Sequence, residues 1–141
     1  MATDTIRMSA TIPASPAEVY RAWVDARTHS AVTGSKATSQ ARVGGRHSAY
    51  DGYIHGWHFV LEPGRKVVQS WRTTDFAAAD PDSVLELRFA RTREGTKVTL
   101  VHKDVPAGQG EGYAQGWTEY YFEPMCAYFE KGTSKGRKKA R

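Results

Sequence analysis

Residues 112–131 read GYAQGWTEYYFEPMCAYFEK, the one long segment whose apolar residues recur at helical spacing. Every fourth residue is large and mostly aromatic, as the series Tyr113, Trp117, Tyr121, Met125 and Phe129 shows. Residues spaced in this way share one face of an α-helix. An apolar face must be covered by other parts of the chain, so we expect a sheet that closes around this helix.

The chain upstream alternates in the way that strands do. Apolar and polar residues alternate between Thr5 and Ile12, and later segments show strand patterns separated by glycine-containing turns. Two short helices interrupt this series. The first begins with a capping box of Ser15 and Glu18, and the second runs from Asp25 to Gly34. The predicted strands cover residues 5–12, 37–42, 46–50, 53–61, 66–73, 83–91 and 96–103.

Length and composition indicate one domain. The chain has 141 residues, of which 40% are hydrophobic, and we assign residues 1–132 to a single domain. No apolar run approaches the roughly 20 residues of a membrane span, and the first residues lack the pattern of a signal peptide. The single cysteine, Cys126, allows no internal disulfide. These features predict a cytoplasmic protein without a membrane span.

Positive charge is concentrated at the C-terminus. The net charge is +5, but residues 131–141 carry six of the 20 Lys and Arg and no acidic residue. The preceding 130 residues therefore hold 14 basic and 15 acidic residues. Because a duplex-binding domain is expected to be basic in its folded part, we predict no specific nucleic-acid partner. Residues 133–141 are predicted to form a disordered basic tail.

Several short sequence motifs resemble those of one known family. They include SPAEVY at residues 15–20, glycine pairs and turns at 44–45 and 51–52, and QGWTEYYFE at 115–123. Together they resemble the activator of heat-shock-protein-90 ATPase family, within the superfamily of steroidogenic-acute-regulatory lipid-transfer domains and the birch-pollen-allergen fold. The similarity runs from about residue 5 to residue 131. The family often has paired tryptophans where this chain has HSAVTG at residues 29–34.

This resemblance implies an α+β helix-grip fold. In that fold a seven-stranded antiparallel sheet wraps around a long C-terminal helix, with two short helices between strands 1 and 2 and a cavity between sheet and helix. The resemblance also implies two kinds of partner. One is a small hydrophobic or amphipathic molecule in the cavity, and the other is a heat-shock-protein-90-type chaperone. Whether the chain forms a homodimer is left open by the sequence.

The register of one hairpin determines which histidines point inward. If Asp51 and Gly52 form a two-residue turn, His47 pairs with Gly56 and lies diagonally across from His58. His102 points to the same side from the last strand. Imidazoles are common zinc ligands, but these three lack the close spacing of a dedicated metal site, so we predict no metal and no cofactor. Hydrogen-bonded structural histidines, or histidines that orient a polar ligand group, are the other interpretations.

Catalytic motifs are missing from the sequence. It contains no nucleophile elbow, dinucleotide fingerprint or Walker loop, and the glycine-rich residues 108–112 are interpreted as a flexible gate. A cyclase- or hydrolase-like enzyme would have to use His102, His58 and Glu119 as acid–base residues. We assign no catalytic residue and expect a binding protein rather than an enzyme.

The aromatic helix is expected to form one wall of the cavity. Buried tyrosines need partners for their hydroxyl groups, and leucine would suit a purely structural face better. Pro124 removes the hydrogen bond to the carbonyl of Tyr120, so the helix should bend there, and Pro124→Ala should straighten it. Gly116 is expected to permit close contact with a strand or loop. We predict that the ligand contacts His47, His58, Trp71, His102, Tyr113, Trp117, Tyr120 and Tyr121.

Overall fold

A seven-stranded antiparallel sheet forms one layer of the computed structural model, which describes the backbone of residues 3–140 and the side chains of residues 3–131. The strands lie in the order β1-β7-β6-β5-β4-β3-β2. In chain order the elements are β1 (Thr3–Ile12), α1 (Pro16–Val24), α2 (Ala26–Thr33), β2 (Thr38–Ser39), β3 (Arg46–Ala49), β4 (Ile54–Glu62), β5 (Lys66–Thr73), β6 (Ser83–Thr92), β7 (Gly95–Pro106), α3 (Gly110–Trp117), a π-helical turn (Thr118–Phe122) and α4 (Glu123–Ala140). This is the predicted helix-grip architecture.

The two short helices begin and end as the sequence predicts. The Ser15 hydroxyl accepts a hydrogen bond from the Glu18 amide at 3.2 Å, and the Glu18 carboxylate accepts one from the Ser15 amide at 3.0 Å. Asp25 caps α2 by accepting from the Thr28 amide at 2.9 Å. Gly34 ends α2 with φ of 76°, a left-handed conformation that glycine adopts without a steric penalty.

The predicted hairpin register is confirmed. Ala49 pairs with Ile54 and His47 with Gly56, and the Tyr53 amide donates to the Tyr50 carbonyl across the turn. The strand predicted at 37–42 is shorter, because the Arg42 amide turns back to the Gln40 carbonyl at 2.7 Å and ends the pairing. The last strand is longer than predicted. It continues to Pro106 through a β-bulge opposite β1.

The core lies between the concave face of the sheet and the helices. Alternate residues of β6 and β7 point inward as predicted and are buried, namely Leu85, Leu87, Phe89, Val98, Leu100 and His102. From the helical side, Trp117, Tyr121, Phe122 and Met125 are buried against the same core. Among the helices of the described residues, none is long and apolar enough to span a bilayer.

The C-terminal helix is continuous from Gly110 to Ala140 and contains a π-helical turn between α3 and α4, while the bend near Tyr120 stays a prediction. Its π-helical turn includes Tyr120, where the sequence predicted a disturbance, and the Glu123 amide donates to the carbonyl of Thr118. The regular α-helical hydrogen bonding is interrupted here because Pro124 has no amide proton to donate to the Tyr120 carbonyl, and the chain forms a π-helical turn instead. The predicted disordered tail falls on residues described at most as backbone, so it stays a prediction.

Candidate ligand cavity

A cavity of about 750 Å³ lies between α3, the β3–β4 turn and the loop that follows β5. Most of its lining is aromatic, with one carboxylate, one amide and three glycines. The lining residues are Tyr50, Tyr53, Ile54, Trp71, Asp75, Gly108, Gln109, Gly112, Tyr113, Gly116, Trp117, Tyr120 and Tyr121. The volume is within the range of about 300 to 1,000 Å³ that small-molecule sites occupy.

Five of the eight predicted ligand residues line this cavity: Trp71, Tyr113, Trp117, Tyr120 and Tyr121. The three histidines do not. His47 lines a separate void of about 10 Å³, which is room for one water molecule. His58 and His102 are fully buried, and each is held by neighbouring side chains. The cavity is therefore an aromatic space without a histidine on its wall.

The inner wall is a packed group of rings. Trp71 contacts Tyr113 edge to face with ring centroids 4.9 Å apart, and Trp117 lies 5.5 Å from Trp71 and 5.0 Å from Tyr121. Behind this wall, Trp23 of α1 stacks on Tyr121 at 4.8 Å. The edge-to-face and stacked pairs among these contacts each add about 1 kcal/mol beyond burial and so stabilise the wall.

His102 lies directly behind the wall. Its Nδ1 accepts from the Trp117 indole at 3.2 Å, so the imidazole proton is on Nε2, which donates to the Ser83 hydroxyl at 2.7 Å. Ser83 in turn donates to the Trp71 carbonyl at 2.7 Å. Burial lowers the pKa of His102 to about 3, which keeps the ring neutral. This chain of bonds fixes Trp117 and Trp71 from behind.

His47 and His58 form a pair of neutral imidazoles elsewhere in the core, with ring centroids 5.2 Å apart. The Nε2 of His47 donates to the Ser70 carbonyl at 2.8 Å, and burial lowers the pKa of His47 to about 4. His58 accepts from the Gln69 amide at 3.4 Å and donates to the Ser39 hydroxyl at 2.9 Å. Both rings therefore connect strands, which is the structural interpretation left open by the sequence.

Sequence reasoning missed a fourth buried histidine, His29 of α2. Its Nδ1 donates to the Trp23 carbonyl at 3.2 Å, and its Nε2 accepts from the Tyr121 hydroxyl at 3.0 Å. Burial lowers the pKa of His29 and raises that of Tyr121, so both groups are neutral. The available signal was the segment HSAVTG at residues 29–34, where the resemblance implies paired tryptophans in the broader family.

The candidates for acid–base catalysis do not converge. His58 and His102 are bonded to different neighbours, and Glu119 accepts from the Gln115 amide at 3.0 Å on the exposed side of the helix. Within residues 3–131, no three His, Cys, Asp or Glu side chains are grouped as a metal site requires. The arrangement encloses a cavity, and His58, His102 and Glu119 do not assemble a reaction centre.

The mouth of the cavity is formed by loops. Gln109 donates to the Asp75 carbonyl at 3.3 Å and accepts from the Tyr113 hydroxyl at 2.8 Å. The glycine-rich loop predicted as a flexible gate is held in place, because the Asp4 carboxylate accepts from the amides of Gly108 and Gly110 at 3.0 and 2.9 Å. Sequence reasoning missed Asp75 and Gln109, since neither belongs to a periodic element.

The opposite side of the mouth is linked to the π-helical turn. The hydroxyl of Tyr50 donates to the Tyr120 carbonyl at 2.5 Å. This is the carbonyl that Pro124 leaves without its helical partner. Tyr50 reaches it from the β3–β4 turn, where its own φ is 49°. Sequence reasoning predicted the free carbonyl and missed the tyrosine that binds it.

We expect Tyr50→Phe to lower the free energy of unfolding by about 1 kcal/mol, because the Tyr120 carbonyl loses its donor. In a Pro124→Ala background the loss should become smaller, since the new amide can bind this carbonyl. Urea denaturation of the wild type, both single variants and the double variant measures this coupling. Tyr128→Phe on α4 is the matched control. Equal losses in the two backgrounds would exclude the proposed link.

Comparison with known proteins identifies the relatives of this chain. A family profile described as activator of Hsp90 ATPase homolog 1-like protein matches residues 13–130. The chain is 29% identical over 130 residues to the human activator of 90 kDa heat shock protein ATPase homolog 1, covering 92% of this chain and 38% of the human protein. It is 29% identical over 115 residues to the corresponding homolog of Dictyostelium discoideum, covering 82% of this chain and 30% of that protein.

Two solved structures share the fold of this chain. The crystal structure of an Hsp90 activator from Plasmodium falciparum superposes with a TM-score of 0.81 at 25% identity, covering 89% of this chain and 96% of that one. A protein from Chromobacterium violaceum shares the fold with a TM-score of 0.70 at 24% identity, covering 88% and 95% of the two chains. The chain thus matches nearly the whole Plasmodium structure but spans less than two fifths of the curated relatives it resembles.

Proposed function

The chain belongs to the activator of Hsp90 ATPase homolog 1-like protein family, and we propose that it binds a small hydrophobic or amphipathic molecule in the aromatic cavity. The observation that carries this proposal is the cavity itself, about 750 Å³ of space walled by seven aromatic side chains. Protein interiors are otherwise packed to the density of organic crystals. A space of this size beside rigid rings is suited to a guest molecule.

Two helical glycines keep this space open. A Cβ atom added at Gly112 would meet no atom within 4 Å, and one at Gly116 would meet only the Tyr120 ring at 3.7 Å. Gly116 was expected to permit a close backbone contact, but it faces the cavity instead. Each glycine costs a helix about 1 kcal/mol relative to alanine. Because neither position needs glycine for packing, the empty volume is the feature that these residues preserve.

We expect Gly116→Leu to abolish ligand binding without loss of stability. Leucine favours helix formation and would extend into the cavity, so the melting temperature should stay equal or rise. The measurement is native mass spectrometry of freshly purified protein, which also reports a dimer, followed by thermal shift of the ligand found. Glu111→Leu, on the same helix and outside the lining, is the control. Retention of the ligand by Gly116→Leu would disprove binding in this cavity.

Association with a chaperone is the second candidate, favoured by the names of the relatives that activate the 90 kDa heat shock protein ATPase. Such a partner would use the surface. On the outer face of β4, Trp57 and Phe59 are 40% and 48% exposed, and the Arg46 guanidinium lies 4.5 Å from the Trp57 ring centroid. Exposed aromatics and arginine are common in protein interfaces.

The two candidates separate by mutation. If the chain acts on a chaperone through this outer face, Phe59→Ser should reduce both co-purification of an Hsp90-type protein and the change in its ATP turnover, whereas Gly116→Leu should leave both unchanged. The control is Thr11→Ser, an exposed position on the outer face of distant β1. Unchanged ATP turnover with the wild-type chain present would reject the chaperone candidate and leave cavity binding untouched.

A further inference from the structure

The charge on the cavity wall is of one sign, negative. Of the thirteen residues that line the cavity, all in the described part of the chain, one is charged at neutral pH, and it is the acid Asp75. Asp75 is exposed at the mouth and accepts a hydrogen bond from the Tyr53 hydroxyl. A carboxylate at the entrance to a space of low polarity favours a positively charged guest.

Four of the five tyrosines on the cavity wall, all except the exposed Tyr120, use their hydroxyl protons in hydrogen bonds within the protein. Tyr50 donates its proton to the Tyr120 carbonyl, Tyr113 to Gln109 and Tyr121 to His29. Thr73 donates to Tyr113 in turn, at 2.6 Å, because the Tyr113 proton is already used. The indole proton of Trp117 is likewise bound to His102. An anionic group placed against these bonded hydroxyls would meet oxygen lone pairs, whereas a cation would meet complementary charge.

The N-terminus of α3 would ordinarily favour an anion, because its amides and the helix dipole are positive. Here the Asp4 carboxylate already occupies that position and accepts from the Gly108 and Gly110 amides through one oxygen. The negative charge of Asp4 is therefore built into the fold beside the cavity. This leaves the aromatic faces and Asp75 to determine which guest binds.

Taking cavity binding as the premise, we infer that the ligand is an organic cation, an amine or quaternary ammonium on an apolar body, held by the aromatic rings of the cavity wall. Aromatic rings attract cations through their negative faces, and quaternary ammonium groups fit several rings at once without needing hydrogen-bond acceptors. The apolar body fills the remaining volume, and Asp75 attracts the cation at the mouth.

Three probes of similar shape test the charge preference. Benzyltrimethylammonium is the cation, neopentylbenzene is its neutral isostere, and benzenesulfonate is an anion. Titrations followed by the indole proton–nitrogen signals of Trp71 and Trp117 report binding at the wall. We expect the cation to bind about tenfold or more tightly than the isostere, as a cation over desolvated rings should. Asp75→Asn should weaken cation binding severalfold, and Glu111→Gln should not.

The outcomes separate this inference from its premise. Equal binding of all three probes, or tightest binding of the anion, would overturn the cation inference while supporting the cavity as a ligand site. Failure of every probe to shift the two indole signals, together with no ligand in native mass spectrometry, would overturn both. Trp117→Leu should abolish the shift at Trp71 for the cation, and a preserved shift would also contradict the assignment of the site.

Discussion

Replacing Gly56 with alanine is expected to lower the free energy of unfolding by about 4 kcal/mol, or to prevent folding. A Cβ atom here would collide with the backbone carbonyl oxygen of Ser70 and lie 2.8 Å from the Nε2 of His47. The His47 ring crosses over Gly56 to donate to that same carbonyl. Alanine would therefore force β4 and β5 apart and leave a buried imidazole proton without its acceptor.

The measurement for Gly56→Ala is a urea denaturation curve recorded by circular dichroism, with Gly112→Ala as the matched control. This control makes the same glycine-to-alanine change, but the new methyl group at position 112 would meet no atom within 4 Å. Because alanine favours helix formation, Gly112→Ala should raise the free energy of unfolding by up to about 1 kcal/mol. A Gly56→Ala midpoint within error of the wild type would show that the β4–β5 contact is not tight.

Gly56 also illustrates how far the sequence could predict the fold. The Asp-Gly turn was sufficient to place His47 opposite Gly56, because turn length determines register. The capping box of α1 and the alternation of β1 are equally local and were predicted correctly. The local pattern could not show that Ser70 of the next strand contacts both His47 and Gly56. That contact depends on the close approach of β4 to β5.

The candidate site shows the same division. Trp71, Tyr113 and Trp117 could be predicted to line the cavity, because periodicity puts them on inward faces. The three histidines lie on those faces too, but each is hydrogen-bonded to a neighbouring residue and does not line the cavity. Periodicity specifies the side of an element and does not specify which neighbour a polar atom will bind.

Long-range hydrogen bonds were beyond sequence reasoning for a related reason. The bond from Tyr50 to the Tyr120 carbonyl spans 70 residues, and that between His29 and Tyr121 spans 92. Both groups could have been identified as needing partners, the Tyr120 carbonyl because of Pro124 and the Tyr121 hydroxyl because of its place on the buried face. The partners come from the β3–β4 turn and from α2, whose positions relative to the C-terminal helix follow from the assembled fold.

Lowering the pH from 7 to 5 is expected to reduce the free energy of unfolding by about 2 kcal/mol for each of His47 and His102. Burial lowers their pKa values from 6.5 to about 4 and about 3 in the folded protein. Between these values and 6.5 the unfolded chain binds the protons that the folded chain excludes. Stability is therefore greatest above pH 6.5, falls as the pH falls, and stops changing through these groups below about pH 3.

The chemical reason is that a second proton on either ring would create a positive charge in a buried environment. Protonating Nδ1 of His102 would break its bond from the Trp117 indole, since two donors would then face each other. Protonated His47 would face the ring of His58 at 5.2 Å, and burial also lowers the pKa of His58. Acid should therefore loosen the wall of the cavity and the β3–β5 region together.

Urea denaturation at pH 7.5, 6.5, 5.5 and 5.0 measures the slope, and His102→Gln is the informative variant. A glutamine carbonyl can accept from Trp117 while its amide donates to Ser83, but it does not titrate. Its slope below pH 6.5 should be shallower by up to about 1.4 kcal/mol per pH unit. The same slope in both proteins, or constant wild-type stability from pH 7.5 to 5.0, would show that the folded protein protonates His102 as readily as the unfolded chain does.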